Sequence, residues 1–269
     1  MLWVPATVDW CEENYVWSPY VAEFFNTLSS ALITAAGAYG LLTRRGCPRV
    51  NTLSVVVGVG SAAFHATLTY AAQMADELTM YWLIVYLLSR QYALRADVAV
   101  AYAAGWTLAH LGCGMVRPFQ AHFTLLAIVA LVTALGQAAR DPRQRRLARL
   151  QVAVAGAAFA CWLLDLGLCA PLRRLPFNPQ LHAWWHLGMA VVCRISAHLA
   201  PPRSMPPPPP ADDKKTQRVA VLRRRLFDIE TGMSFLRRRE HCPESILRRL
   251  HSEYHRMRHQ VSCSQVGKQ

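Results

Sequence analysis

Seven stretches of about twenty mostly apolar residues, each almost free of charge, follow one another between Tyr20 and Leu199, and they constrain this chain more than any other feature. They run Tyr20–Leu42, Leu53–Tyr70, Ala75–Leu94, Val98–Val116, Phe119–Ala138, Leu147–Leu168 and Leu181–Leu199. A bilayer core is crossed by about 20 apolar residues in a helix, because backbone amides find no water there and must pair within the segment. A water-soluble bundle would need charged outer faces, and these stretches have almost no charges to supply them. The expected fold is an all-α integral membrane protein with seven transmembrane helices.

Charge divides the chain further. Residues 1–200 carry 14 of the 29 basic and 9 of the 16 acidic residues, leaving 15 and 7 in residues 201–269. Three parts are expected: an N-terminal loop over 1–19, a helical membrane domain over 20–200, and a Pro-rich then basic tail over 201–269. Met1 to Tyr20 contains acidic residues and no basic one, so no cleavable signal is evident. Orientation follows from arginines in the short connections, which are retained on the cytoplasmic side. Arg44, Arg45, Arg49, Arg90, Arg95, Arg140, Arg143, Arg145, Arg146 and Arg149 fall on one side, against Arg117, Arg173 and Arg174 on the other. The N-terminus is expected to be lumenal and the C-terminus cytosolic.

That orientation brings the ionisable residues of the apolar stretches to one depth. His65 lies in the lumenal half of the second stretch, Asp76 in the first turn of the third, Asp165 near the lumenal end of the sixth, and His182 and His186 at the start of the seventh. Residues four apart share a helix face, with Cβ atoms about 5–6 Å apart, so His182 and His186 form a half-site for one divalent metal. The flanking Trp184 and Trp185 also fit an interfacial belt with hydrogen-bonded imidazoles. Buried Asp76 and Glu77 need partners, and His65, His182 and His186 are the ones at their level. Three imidazoles with one open position are a common catalytic zinc arrangement. Asp76 would take a proton from the attacking water and pass it to a leaving amine, and Ser61, one turn before His65, would donate to the oxyanion. The residue set points to amide or ester hydrolysis.

A second constellation precedes the first stretch. Asp9, Glu12 and Asn14, with Glu23 arriving later, offer oxygen ligands of the kind that hold Ca²⁺. Their spacing is not that of a helix-loop-helix calcium loop, and acids before a span also occur simply solvated.

Asp9-Trp10-Cys11-Glu12-Glu13-Asn14-Tyr15, Tyr20 to Thr27, Gly60-Ser61 to His65, Asp76-Glu77-Leu78 and the stretch from Phe177 to His182-Ala183-Trp184-Trp185-His186 together closely resemble the alkaline ceramidases. The resemblance covers residues 9 to about 199 in matching order. It implies a seven-helix zinc amidase that hydrolyses ceramide, taken from the bilayer, to a sphingoid base and a fatty acid. It places the zinc ligands on His65, His182 and His186, with Ser61 and Asp76 as catalytic neighbours. It places calcium on Asp9, Glu12, Asn14, Glu23 and the Trp10 carbonyl. It also supports a disulfide between Cys11 and Cys169, both expected in the oxidising lumen, and a place in the endoplasmic reticulum or Golgi membrane. Thr79 stands where the family often has Pro, and Ala62-Ala63 replace bulkier residues, which bears on chain or headgroup preference. A related alternative is a zinc-containing lipid receptor of the adiponectin-receptor type, from which the calcium loop distinguishes this chain.

The tail lies outside the resemblance. Pro201-Pro202 and Pro206 to Pro210 make a stiff spacer. Arg223-Arg224-Arg225, Arg237-Arg238-Arg239 and Arg248-Arg249 then alternate with apolar residues, which fits either an amphipathic helix on anionic lipid or a disordered basic tail. No nucleic-acid-binding motif accompanies the charge, so no such partner is expected.

Overall fold

The computed structural model describes residues 4–113, 116–199 and 244–266, together with Val221, Leu222, Arg225, Leu226 and Ile229. The described residues are all-helical and divide into two compact units, Met1–Arg203 and Ser204–Gln269. In the first unit the long helices are α1 (Phe24–Leu42), α2 (Pro48–Thr67), α3 (Tyr70–Gln91), α4 (Ala96–Cys113), α5 (Val116–Gln137), α6 (Pro142–Gly167) and α7 (Leu181–His198). A 3₁₀ turn, Ala138–Arg140, joins α5 to α6, and one helical turn, Cys169–Leu172, follows α6.

Each apolar stretch of the sequence has become one helix. Three segments, Pro48–Thr67, Arg117–Gln137 and Pro142–Gly167, are long and apolar enough to cross a membrane by length and composition, which marks a membrane protein. Among the helices that fall short, α1, α3 and α7 are diluted by the buried polar residues Asn26, Ser29, Ser30, Gln73, Asp76, Glu77, His182 and His186. Leu28, Leu32, Val56, Val59, Leu125, Ile128, Val132 and Leu163 point outward, the reverse of a water-soluble surface.

Three helices start five residues before the sequence expectation, and α2 does so at Pro48, a proline in its first turn. Leu68 takes a left-handed conformation (φ 45°) that stops α2, and Thr69 is extended, so α3 begins at Tyr70. The N-terminal segment straps this corner: the Ala6 N–H donates to the Leu68 carbonyl (2.9 Å) and the Tyr70 N–H to the Val4 carbonyl (2.8 Å). Asp76 therefore sits in the second turn of α3, not the first. Helix α6 also starts earlier, because Pro142 occupies its first turn and the Asp141 carboxylate accepts from the Arg143 (2.8 Å) and Gln144 (3.3 Å) amides. Arg143, Arg145, Arg146 and Arg149 thus ride on a helix instead of a loop.

Helix α1 packs against α2 and α7, α2 against α3, and α6 against α7. Ile33, Val50, Val57, Leu83, Ala190, Cys193 and Ala197 form the core between them. Helices α2 and α3 approach closely at Gly60, where a Cβ would stand 2.9 Å from the Ala75 carbonyl oxygen and 3.3 Å from the Asp76 amide. Small residues permit such contacts between helices in lipid, where packing rather than water exclusion drives association.

The second unit contains α8 (Glu244–Val266). Leu250, Tyr254, Met257 and Val261 form a more buried stripe along it, while Arg248, Arg249, Arg256 and Arg258 are exposed, so this part of the tail is an amphipathic helix. The proline spacer and the arginines at 223–224 and 237–239 lie outside the described residues.

Replacing Gly60 by Val is expected to push α2 from α3 and destabilise the protein by about 1–3 kcal/mol. The check is the thermal melting midpoint of purified protein in detergent, with Gly105→Val as the comparison, since a Cβ at Gly105 meets nothing within 4 Å.

Candidate active site

The last turn of α2 and the first two turns of α7 supply the buried histidines: His65 from α2, His182 and His186 from α7. Their ring centroids are 4.6–5.0 Å apart, and one nitrogen of each lies within 4.8 Å of those of the other two. They meet because α1 packs on both α2 and α7.

Helix α1 also orients the rings. His65 Nδ1 is hydrogen-bonded to Glu23 Oε2, at the N-terminal edge of α1, and His186 Nδ1 to the Ser29 hydroxyl (2.8 Å). His65 Nε2 and His182 Nδ1 are buried without a hydrogen-bond partner, and His186 Nε2 has only the Ser61 hydroxyl at 3.4 Å. A buried polar nitrogen without a partner is costly, and a histidine fixed through one nitrogen with the other left open is how metal ligands are held. The donor set fits a zinc-type ion. Among the described residues this is the group of His, Cys, Asp and Glu side chains whose donor atoms converge in this way.

Ser61 and Asp76 stand beside the imidazoles. The Ser61 hydroxyl is 2.9 Å from that of Ser30, and the Asp76 side chain lies close enough to Ser61 to interact with it. Asp76 is buried, and its Oδ1 has no hydrogen-bond partner. A carboxylate oxygen in this state is free to accept a proton or a donor from a reacting molecule.

The N-terminal loop folds over the same end of the bundle. Trp10 stacks on His182 with ring centroids 3.7 Å apart, and its amide donates to Glu23 Oε1 (3.0 Å). Both oxygens of Glu12 accept amides of the first turn of α1, from Phe25 (2.7 Å) and Asn26 (2.9 Å), so Glu12 caps a helix whose own N-cap makes no side-chain bond. Burial raises the Glu12 carboxyl above its ordinary range, and the two amides oppose that shift. Asn14 donates to Asp9 Oδ1 (3.1 Å), Asp9 lies within reach of Glu23, and Asn14 Oδ1 is left without a partner. Asp9, Asn14 and Glu23 therefore gather as hard oxygen donors that suit Ca²⁺, and Glu12, turned to α1, keeps a second lone pair on each oxygen.

Two further links hold the loop down. Cys11 and Cys169 are disulfide-bonded, with Cα atoms 5.1 Å apart. The Asp165 carboxylate of α6 accepts from the amides of Cys11 (3.0 Å) and His182 (3.3 Å), joining the loop to the start of α7. Asp165 lies at the depth its place in the sequence implies, and these two bonds give it a role there. Ser29 and Ser30 were not anticipated, although Asn26, Ser29 and Ser30 share a helix face, a visible polar stripe in an apolar stretch. The partner of Glu77 is also different from those expected: it is His110 of α4, at 2.8 Å. Trp185 is buried while Trp184 is 57% exposed, so only one of the two packs behind the histidines.

A sequence model of the family described as Ceramidase matches residues 4–200. An alkaline ceramidase of Arabidopsis thaliana is 30% identical over 202 residues, covering 70% of this chain and 79% of the relative. One of Drosophila melanogaster is 32% identical over 202 residues, covering 67% and 71%. The alkaline ceramidase YPC1 of Saccharomyces cerevisiae is 30% identical over 232 residues, covering 69% and 73%. With this fold and this cluster, the chain belongs to the ceramidase family of enzymes.

A disulfide closing so long a loop stabilises by about 5 kcal/mol in the chain-entropy account. Cys169→Ser is expected to lower the melting midpoint by several degrees or more, and reducing agent is expected to lower the midpoint of the parent and leave that of the variant unchanged.

Proposed function

We propose that this protein hydrolyses the amide bond of ceramide to a sphingoid base and a free fatty acid, with His65, His182 and His186 holding a zinc ion. The observation that carries the reading is the convergence of three buried imidazoles, each fixed from behind or left with an open nitrogen, beside Ser61 and Asp76. When bound, zinc supplies Lewis acidity toward water and toward a carbonyl oxygen. The remaining work belongs to side chains. Asp76 takes the proton of the water that adds to the amide carbon, and returns it to nitrogen as the C–N bond breaks. Ser61 donates to the oxygen that gains negative charge, for which its hydroxyl turns away from Ser30. Glu23 and Ser29 keep the His65 and His186 rings aimed.

Calcium, held by Asp9, Glu12, Asn14, Glu23 and the Trp10 carbonyl, supports the loop that covers the histidines and takes no part in bond breaking. In the bilayer of the endoplasmic reticulum or Golgi, α1–α7 all span, with the N-terminal loop lumenal and residues 201–269 cytosolic. Ceramide enters sideways from the lumenal leaflet. The amphipathic helix α8 rests on anionic lipid.

The test is fatty-acid release from defined ceramides by the purified full chain. His182→Ala and Asp76→Ala are each expected to lower kcat/KM at least about 100-fold. Elemental analysis is expected to find about one zinc per chain in the parent and in Asp76→Ala, and less in His182→Ala. Equal release by parent and variants at every pH would end the enzyme assignment to this cluster. Exhaustive chelation with EGTA is expected to lower activity without removing zinc, and unchanged activity would remove calcium from the account.

A further inference from the structure

Helix α3 presents two neighbouring carboxylates to different surroundings. Asp76 faces α2 and the histidines, while Glu77, about 100° further round the helix, faces α4. Glu77 is buried, and both of its oxygens are held: Oε2 by His110 Nε2 (2.8 Å) and Oε1 by the Gln73 amide (2.9 Å). Gln73, also fully buried, is held in turn by Thr7 of the N-terminal segment, whose amide and hydroxyl donate to Gln73 Oε1 at 2.7 and 3.0 Å. His110 stacks on Phe119 of α5 with centroids 4.0 Å apart. The hydrogen bonds and ring contact of these groups run among themselves and not to the histidine cluster.

We propose that Glu77 and His110 are positioning residues for Asp76. A carboxylate in an apolar bundle is strongly unfavourable without its donors, so a buried pair of this kind acts as a register device: α3 cannot turn or slide without unpairing it. On the opposite side of α3, the close approach at Gly60 fixes the Ala75–Asp76 backbone against α2. The N-terminal segment, through Thr7 and Gln73, fixes the height of the first two turns. The Asp76 carboxylate is aimed from three directions while its own Oδ1 stays free for reaction. A misplacement of about 1 Å in such a group is enough to cost 100-fold in rate.

The inference rests on Asp76 as the base, so Asp76→Ala is measured alongside. Glu77→Gln keeps a hydrogen bond to Gln73 and can donate to His110 Nε2, because the unpartnered His110 Nδ1 can carry the ring proton. It is expected to retain kcat within about threefold. Glu77→Met or His110→Leu alone leaves one member unpaired and is expected to lower the melting midpoint. The double variant Glu77→Met/His110→Leu removes both polar groups and is expected to recover most of that midpoint, since an apolar pair can replace a buried polar one. Its kcat is expected to stay down about 10- to 100-fold, with KM for ceramide within about threefold of the parent. Recovered stability with parental kcat would overturn the inference, as would Glu77→Gln being as slow as the double variant. If Asp76→Ala itself kept full activity, the fault would lie with the base assignment.

Discussion

A histidine sealed inside an apolar bundle must find something for both ring nitrogens, and the contact between Glu23 and His65 answers half of that need. One carboxylate at the edge of α1 accepts the Trp10 amide through one oxygen, and holds the His65 ring and the Asn26 side chain through the other. The N-terminal loop, the start of α1 and the end of α2 are therefore set by the same two oxygen atoms. The position of α7 follows, because α1 reaches His186 through Ser29 and the loop reaches His182 through Trp10. The open nitrogens then face one another by default.

Glu12 makes the same kind of economy possible one turn away. The amides at the start of a helix carry partial positive charge and need acceptors, and α1 has no capping side chain of its own. Glu12 supplies the acceptors from the loop. An acidic cluster that reads as cation ligands in sequence is thus also part of the helix end. The two uses are compatible, since capping occupies one lone pair of each oxygen.

Much of the fold was legible because lipid tolerates few solutions: a charge-poor run of sufficient length has to be a helix, and each of the seven runs is one. The gathering of His65, His182 and His186 was legible for a related reason, since helices that alternate in direction bring the end of one run and the start of another to the same level. What depth does not contain is rotation. Glu77 shares a level with the histidines, yet it turns to His110, and Trp184 turns outward while its neighbour turns in. Ser29 and Ser30 could have been found from their shared face with Asn26. The corner at Leu68 could not, because the strap that shapes it comes from Val4 to Ala6, some sixty residues away and without a motif.

The bond between Cys11 and Cys169, 158 positions apart, closes residues 11–169 into a ring, with α1–α6 inside it and α7 starting shortly beyond. A single cut in any connection within that ring, such as residues 43–47 between α1 and α2, leaves one covalent molecule instead of two. After that cut His65 and the pair on α7 lie on one fragment; after a cut between α2 and α6 they lie on two, which the disulfide still joins. The disulfide is thus a second covalent path, besides the backbone, between the loop and the helices that carry the cluster.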